Sequence, residues 1–166
     1  APNAKLFYND YSIEQFNSNS SSKNGRMRSF VTRLKNAGTP IDGVGFQSHF
    51  TLSEMTSGSS VRASFINNVR SSMEFIDDLG LDVAITELDI RRCGGGSDAA
   101  HKAAYKGITE MALSQPNCNL LLIWGISDKD SWTIPWFNCD YSLIFNNSFG
   151  KKSAYFGVLE ALNSLT

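Results

Sequence analysis

The strongest constraint on the fold is a rhythm. Four buried-strand candidates, Lys5–Tyr8, Gly43–Phe46, Val83–Ile85 and Leu120–Ile123, recur at intervals of about 40 residues, the length of one βα unit with generous loops. Helical patterns lie between them. Met27, Phe30, Val31, Leu34 and Ala37 share one helical face, closed by Gly38 with Pro40 beyond it. Phe65, Ile66, Val69, Met73, Ile76 and Leu79 make a second face, closed by Gly80. Ala100, Ala104, Ile108 and Met111 make a shallower third, and Ala154, Val158, Leu159 and Leu162 the last. The alternating pattern of antiparallel hairpins fits none of the four runs. The predicted order is βαβαβαβα, an α/β chain with a parallel sheet.

Two architectures take that order. An open doubly wound sheet usually carries a Gly-rich phosphate turn after its first strand. Here the first strand runs into Asn9-Asp10-Tyr11, and Gly94-Gly95-Gly96 follows a later strand without the required spacing, so it reads as a mobile loop. A (β/α)₈ barrel collects its chemistry at the C-terminal ends of the strands. The strand ends of this chain carry Asn9 and Tyr11, then Gln47 and His49, then Glu87 and Asp89, then Trp124. Eight strands close a barrel and four are present, so the chain reads as half of one, in a single domain.

With 166 residues, 42% of them hydrophobic, the chain has material for a sizeable core. The net charge of −1, with basic residues scattered, gives no reason to expect a nucleic-acid or membrane-surface partner. No apolar run approaches a membrane span. The Ala-Pro-Asn start, without Met or signal peptide, suggests a processed chain or a fragment. Cys93, Cys118 and Cys139 fit one disulfide plus a free thiol, or a partner cysteine elsewhere, and match no zinc motif. Asn17–Asn24 reads as a polar surface loop, and Asn19 and Asn146 begin glycosylation-type sequons.

The chemistry concentrates in Asp82–Ile90, DVAITELDI. Val83–Ile85 suits a strand buried on both faces, and Thr86 ends the run. Glu87 and Asp89 then stand two residues apart, pointing the same way from a strand. Acids also mark strand ends that simply emerge into water, so the pair needs company. It has some in GFQSH, where Gln47 and His49 share one side of the neighbouring strand end. A histidine bridging two carboxylates takes a raised pKa and keeps both acids ionised. An oriented, ionised carboxylate suits a nucleophile and suits a general acid poorly. A metal held by His49, Glu87 and Asp89 lacks further ligands, and neither metal nor cofactor is expected. WGISDKDSW adds Trp124 and Trp132 among Gly, Ser and Asp, which places the indoles in a solvent-facing loop as flat platforms. Carboxylates, amides and tryptophans together describe a sugar-binding cleft.

LFYNDY, GVGFQSH, ITELDIR and WGISDKDSW, in this order and spacing, resemble the C-terminal half of a glycoside hydrolase family 10 xylanase. GKKSAYFGVLEAL resembles that family's final helix. The resemblance implies a retaining endo-β-1,4-xylanase on a (β/α)₈ barrel, secreted and acting on xylan or xylo-oligosaccharides, of which residues 1–166 supply the last four βα units. It implies Glu87 as nucleophile with His49 and Asp89 as its supporting network. Gln47 then touches the sugar at the cleavage site, Trp124 and Trp132 wall it, and Asn9 and Tyr11 line the neighbouring cleft. Two departures stand out. Ser12 replaces the Asn that commonly follows NDY, and the Asn-Glu dipeptide that carries the family's general acid/base occurs nowhere in the chain. Retaining hydrolysis needs two carboxyl groups about 5–5.5 Å apart. The expected partner is therefore an N-terminal half of the same barrel. The competing reading is a non-catalytic half-barrel that binds sugar or another protein. If this chain alone hydrolysed xylan, Asp128 would be the first residue to suspect as the acid.

Overall fold

The computed structural model describes residues 3–139 and 141–164. In chain order its elements are β1 (Phe7–Asp10), α1 (Lys23–Asn36), β2 (Gly43–Phe46), β3 (His49–Thr51), the one-turn α2 (Leu52–Met55), the two-residue strands β4 (Thr56–Ser57) and β5 (Ser60–Val61), α3 (Ala63–Asp78), β6 (Asp82–Arg91), α4 (Asp98–Leu113), β7 (Cys118–Ile123), α5 (Thr133–Phe137) and α6 (Ser153–Asn163).

The strands answer the choice between the two architectures. β1 pairs with β2, β2 with β6 and β6 with β7, always in parallel and always next to the preceding strand, while β3 continues the line of β2 along β6. A doubly wound sheet would reverse its strand order at a switch point. Winding in one direction with right-handed crossovers keeps the long helices on one side, as in a barrel wall. The molecule is a partial α/β barrel.

Local sequence explains most element boundaries. Ser22 caps α1 by accepting the N–H of Gly25 at 2.9 Å, so the polar loop stops before Lys23 rather than at Asn24. Asn24 is buried instead, donating to the Ile13 carbonyl and the Ser72 hydroxyl. Gly38 and Gly80 take positive φ just after α1 and α3, as their C-terminal positions require. β1 lies two residues further along than Lys5–Tyr8, because Asn9 and Asp10 keep register with Gly45 and Phe46. The hairpin of β4 and β5 had no counterpart in the sequence reading; at two residues a strand it is too short to show alternation.

Burial is greatest in the middle. Val44, Phe46, Val83 and Ile85 are fully enclosed, packed with Val31, Met73, Ile76 and Ile108 from the helices. The last helix meets expectation in part. Ala154 and Val158 pack against the core, but the buried stripe continues through Gly157 and Ala161, whereas Leu159 and Leu162 are exposed. Small residues let α6 lie close on α4: a Cβ at Gly157 would meet the Lys102 carbonyl oxygen at 2.4 Å. The cysteines resolve into one disulfide, Cys93–Cys139, and a free Cys118. That bond and Arg92, which donates to the Gly96 carbonyl at 2.6 Å, tie down the glycine loop read as mobile.

Candidate active site

The site begins with a break in a strand. Between Phe46 and His49 the chain takes three steps while β6, from Ile85 to Asp89, takes four. Ser48 absorbs the mismatch at φ 64°, a left-handed conformation unusual for a residue with a side chain. Glu14 holds it there. Its buried carboxylate accepts the Ser48 N–H at 2.7 Å, and burial raises its pKa against the pull of that bond. The break delivers His49 opposite Asp89.

His49 then bridges the two acids. Its Nδ1 lies 2.9 Å from Asp89 Oδ2 and its Nε2 lies 3.2 Å from Glu87 Oε2. A neutral imidazole has one N–H and cannot donate to both, so the geometry calls for imidazolium. Burial works most strongly against that charge, but the hydrogen bond to Asp89 and the charges of Asp89 and Glu87 outweigh it, and the His49 pKa is raised. Asp89 is fully buried, and its Oδ2 also accepts the Trp132 indole N–H at 2.6 Å. Trp132 meets the His49 ring edge-on, with centroids 4.7 Å apart.

The second oxygen of Glu87 is fixed from the other side. Asn9 Nδ2 donates to Glu87 Oε1 at 3.1 Å, while Thr86 Oγ1 donates to Asn9 Oδ1 at 2.8 Å. Gly45 makes room for this, since a Cβ there would meet Asn9 Oδ1 at 2.4 Å. Asn9 is exposed at the end of β1 beside the cleft-lining Glu87, with its amide engaged by Glu87 and Thr86. The carboxylate of Glu87 is held at both oxygens, one by a neutral amide and one by a cation.

A cleft of about 640 Å³ opens over this network. Gln47, Trp124 and Trp132 border it beside Glu87, and Tyr11 borders it from the β1 side with the Lys23 ammonium 3.1 Å above its ring. Ser12 lies next to Tyr11 at φ 54°, a left-handed conformation unusual for a residue with a side chain, and borders the cleft as well. Trp124 is exposed at the end of β7, while Trp132 is half-buried by its contacts with Asp89 and His49. Arg91, Trp136 and Phe137 also border the cleft, and sequence reasoning passed over all three. Arg91 had a usable signal: Glu87, Asp89 and Arg91 fall at successive even steps along β6.

Glu87 is the one carboxylate among the described residues that line the cleft. Asp128 is no substitute. It is buried against Lys152 at 2.6 Å, and it accepts the Leu143 N–H at 2.8 Å. Among the described residues no group of three potential ligands could hold a metal ion.

Comparison with known proteins places these features. The chain is 34% identical to endo-1,4-beta-xylanase A of Fusarium oxysporum f. sp. lycopersici, across 98% of this chain and 49% of that protein. Its fold superimposes on native xylanase 10B from Thermotoga maritima with a TM-score of 0.86 at 30% identity, covering 99% of this chain and 48% of that one. The xylanase 10B of Thermotoga petrophila RKU-1, solved in complex with xylobiose, matches equally well, at TM-score 0.86 and 30% identity over 99% and 48%. The chain thus spans about half the length of these relatives. The model of glycosyl hydrolase family 10 matches residues 1–161, and the chain belongs to that family.

Proposed function

We propose that residues 1–166 are the C-terminal half of one catalytic barrel, an endo-1,4-β-xylanase that works with retention, and that Glu87 is its nucleophile. The observation that carries the reading is the two-sided grip on Glu87. Asn9 and the His49 imidazolium each hold one of its oxygens, and so fix the orientation a nucleophile needs. Glu87 attacks the anomeric carbon, the bond to the leaving sugar oxygen breaks, and that oxygen takes a proton from a carboxylic acid. Water, deprotonated by the same group, then releases the glycosyl-enzyme. That second carboxyl comes from outside this chain, because Glu87 is alone among the cleft's described acids. Gln47, Tyr11, Asn9, Trp124 and Trp132 line the path of the sugar chain in this reading, and Asn9 also orients Glu87.

The xylobiose complex of the Thermotoga petrophila relative supports xylan as the substrate class. The Cys93–Cys139 disulfide supports an oxidising, extracellular location, and no described helix is long and apolar enough to cross a membrane. The test is to assay reducing ends released from xylan by the chain alone and with an N-terminal half supplied. We expect activity only in the second case. Activity of the chain alone, abolished by Glu87→Ala, would place the acid within these residues and overturn the split.

A further inference from the structure

Trp136, Phe137 and Arg91 border the cleft but have no part in holding Glu87. Trp136 is 76% exposed on a five-residue helix that the molecule anchors at both ends. Trp132, just before α5, is fixed by its bond to Asp89, and Cys139, just after it, by the disulfide to Cys93. Thr133 ties the two ends together by donating to the Cys139 carbonyl at 3.0 Å. Pro135 stiffens the turn between them. A large indole presented to water on so constrained a segment is a preorganised platform, with little ordering entropy left to lose when a ligand stacks on it.

Arg91 supplies the polar half. Its guanidinium lies 4.2 Å over the Phe137 ring, and Phe137 packs in turn against Trp132 at 5.4 Å. No described carboxylate lies within ion-pair distance of Arg91, although seven other side-chain cations of the chain have one. The planar fork is therefore stacked in place with its N–H donors uncommitted to any described acid, the arrangement that reads a carboxylate in bidentate fashion.

We propose that Trp136 and Arg91 form an outer subsite of the cleft for a sugar unit bearing a carboxylate, such as a uronic acid substituent on a β-1,4-linked chain. The apolar face of a sugar stacks on Trp136 and the carboxylate pairs with Arg91. The inference rests on the cleft being a sugar site, as argued above, and it adds a preference for acidic decoration. In the full-length protein, inactivated by Glu87→Gln, the probes are xylohexaose, cellohexaose, mannohexaose and a glucuronic-acid-substituted xylo-oligosaccharide, with binding followed by calorimetry.

The substituted oligomer should bind about tenfold tighter than xylohexaose, and Arg91→Gln should abolish that difference, with Arg91→Lys recovering only part of it. Trp136→Ala should weaken the bound oligomers by about tenfold or more, and Trp136→Tyr should restore most of the loss. Equal affinity for neutral and acidic oligomers, or an Arg91→Gln loss equal for both, overturns the carboxylate assignment. A Trp136→Ala protein that loses thermal stability but binds unchanged shows that the indole packs on the other half of the barrel, and overturns the platform. Binding of cellohexaose or mannohexaose in place of xylohexaose overturns the xylan reading alone, and the Trp136 comparison is then read on the sugar that binds. Binding of none of the four overturns both.

Discussion

The middle of the sheet and its two edges are built to different standards. In β2 every residue is buried, and β6 buries Val83–Ile85 and Leu88–Ile90. At the edges β1 alternates exposed and half-buried residues, and on β7 Leu120 and Leu122 remain 45% and 47% exposed. Phe156, Leu159 and Leu162 of α6 add to the uncovered apolar surface. The candidate site follows the same division. His49 bridges Glu87 and Asp89 on the central strands, whereas among the described residues no second carboxylate lines the cleft. The difference teaches that half a barrel can fix the surroundings of Glu87 on its central strands while its edges stay open.

The sharpest way to break this comparison is at its centre. In the full-length protein, Glu87→Ala should lower kcat on xylan by roughly 10⁴–10⁶-fold, the scale of losing a nucleophile. A loss below about tenfold would mean that the central network is structural.

Next in size is a contrast between the chain's two histidines. His101 is fully buried and donates its Nε2–H to the Ile90 carbonyl, 2.9 Å away; burial, helped by the Lys152 charge, holds its pKa down at about 3. As pH falls from the unfolded value of 6.5 towards 3, the unfolded chain takes up a proton that the fold refuses, so stability falls, by up to about 5 kcal/mol. His49 has the opposite sign. Its raised pKa contributes stability fully below 6.5, and that contribution is lost as pH rises through its folded-state value. NMR titration of the two imidazoles, assigned with His→Gln variants, should show His49 titrating above 6.5 and His101 far below. The reverse order would contradict the account.

Packing gives the third contrast. Phe46→Ala at the centre should cost about 3–5 kcal/mol by chemical denaturation in the chain alone and in the full-length protein alike. Leu122→Ala at the edge should cost under about 0.5 kcal/mol in the chain alone but about 2–5 kcal/mol once an N-terminal half covers it. An edge that stays insensitive in the full-length protein is not a barrel seam.

The smallest effect concerns the second layer of the site. Trp132→Phe keeps an aromatic ring but removes the N–H that Asp89 accepts, and should lower kcat about 10–100-fold with a shifted pH profile, because His49 loses its oriented partner. A change confined to KM would make Trp132 a sugar platform only.

Much of this was legible in the sequence because it depends on short-range periodicity. The two-residue spacing of Glu87 and Asp89 put both within reach of His49. Even so, β6 runs on to Arg91 instead of ending at Thr86, and His49 opens β3 rather than closing β2. The helical faces of α1, α3 and α4 follow from local pattern. What escaped depends on pairs of distant residues. Asn9 reaches Glu87 only because β1 registers on β2 and Gly45 leaves space, neither of which a single strand reveals. Glu14 looks like any loop acid until Ser48 turns left-handed beside it. On α6 the pattern finds Ala154 and Val158 but favours the large Leu159 and Leu162, while the small residues Gly157 and Ala161 lie buried beside Ala154. Three cysteines admit several pairings, and only the approach of α5 to the loop after β6 selects Cys93 with Cys139.

The central claim is that Glu87 forms a covalent bond to the sugar, and trapping tests it most directly. The full-length protein is treated with a 2-deoxy-2-fluoro xylobioside carrying a good leaving group, then digested and examined by mass spectrometry. The account predicts one glycosyl adduct, on Glu87 in the peptide containing Thr86-Glu87-Leu88-Asp89. An adduct on another carboxylate, or xylan hydrolysis with inverted anomeric configuration and no adduct, would contradict it.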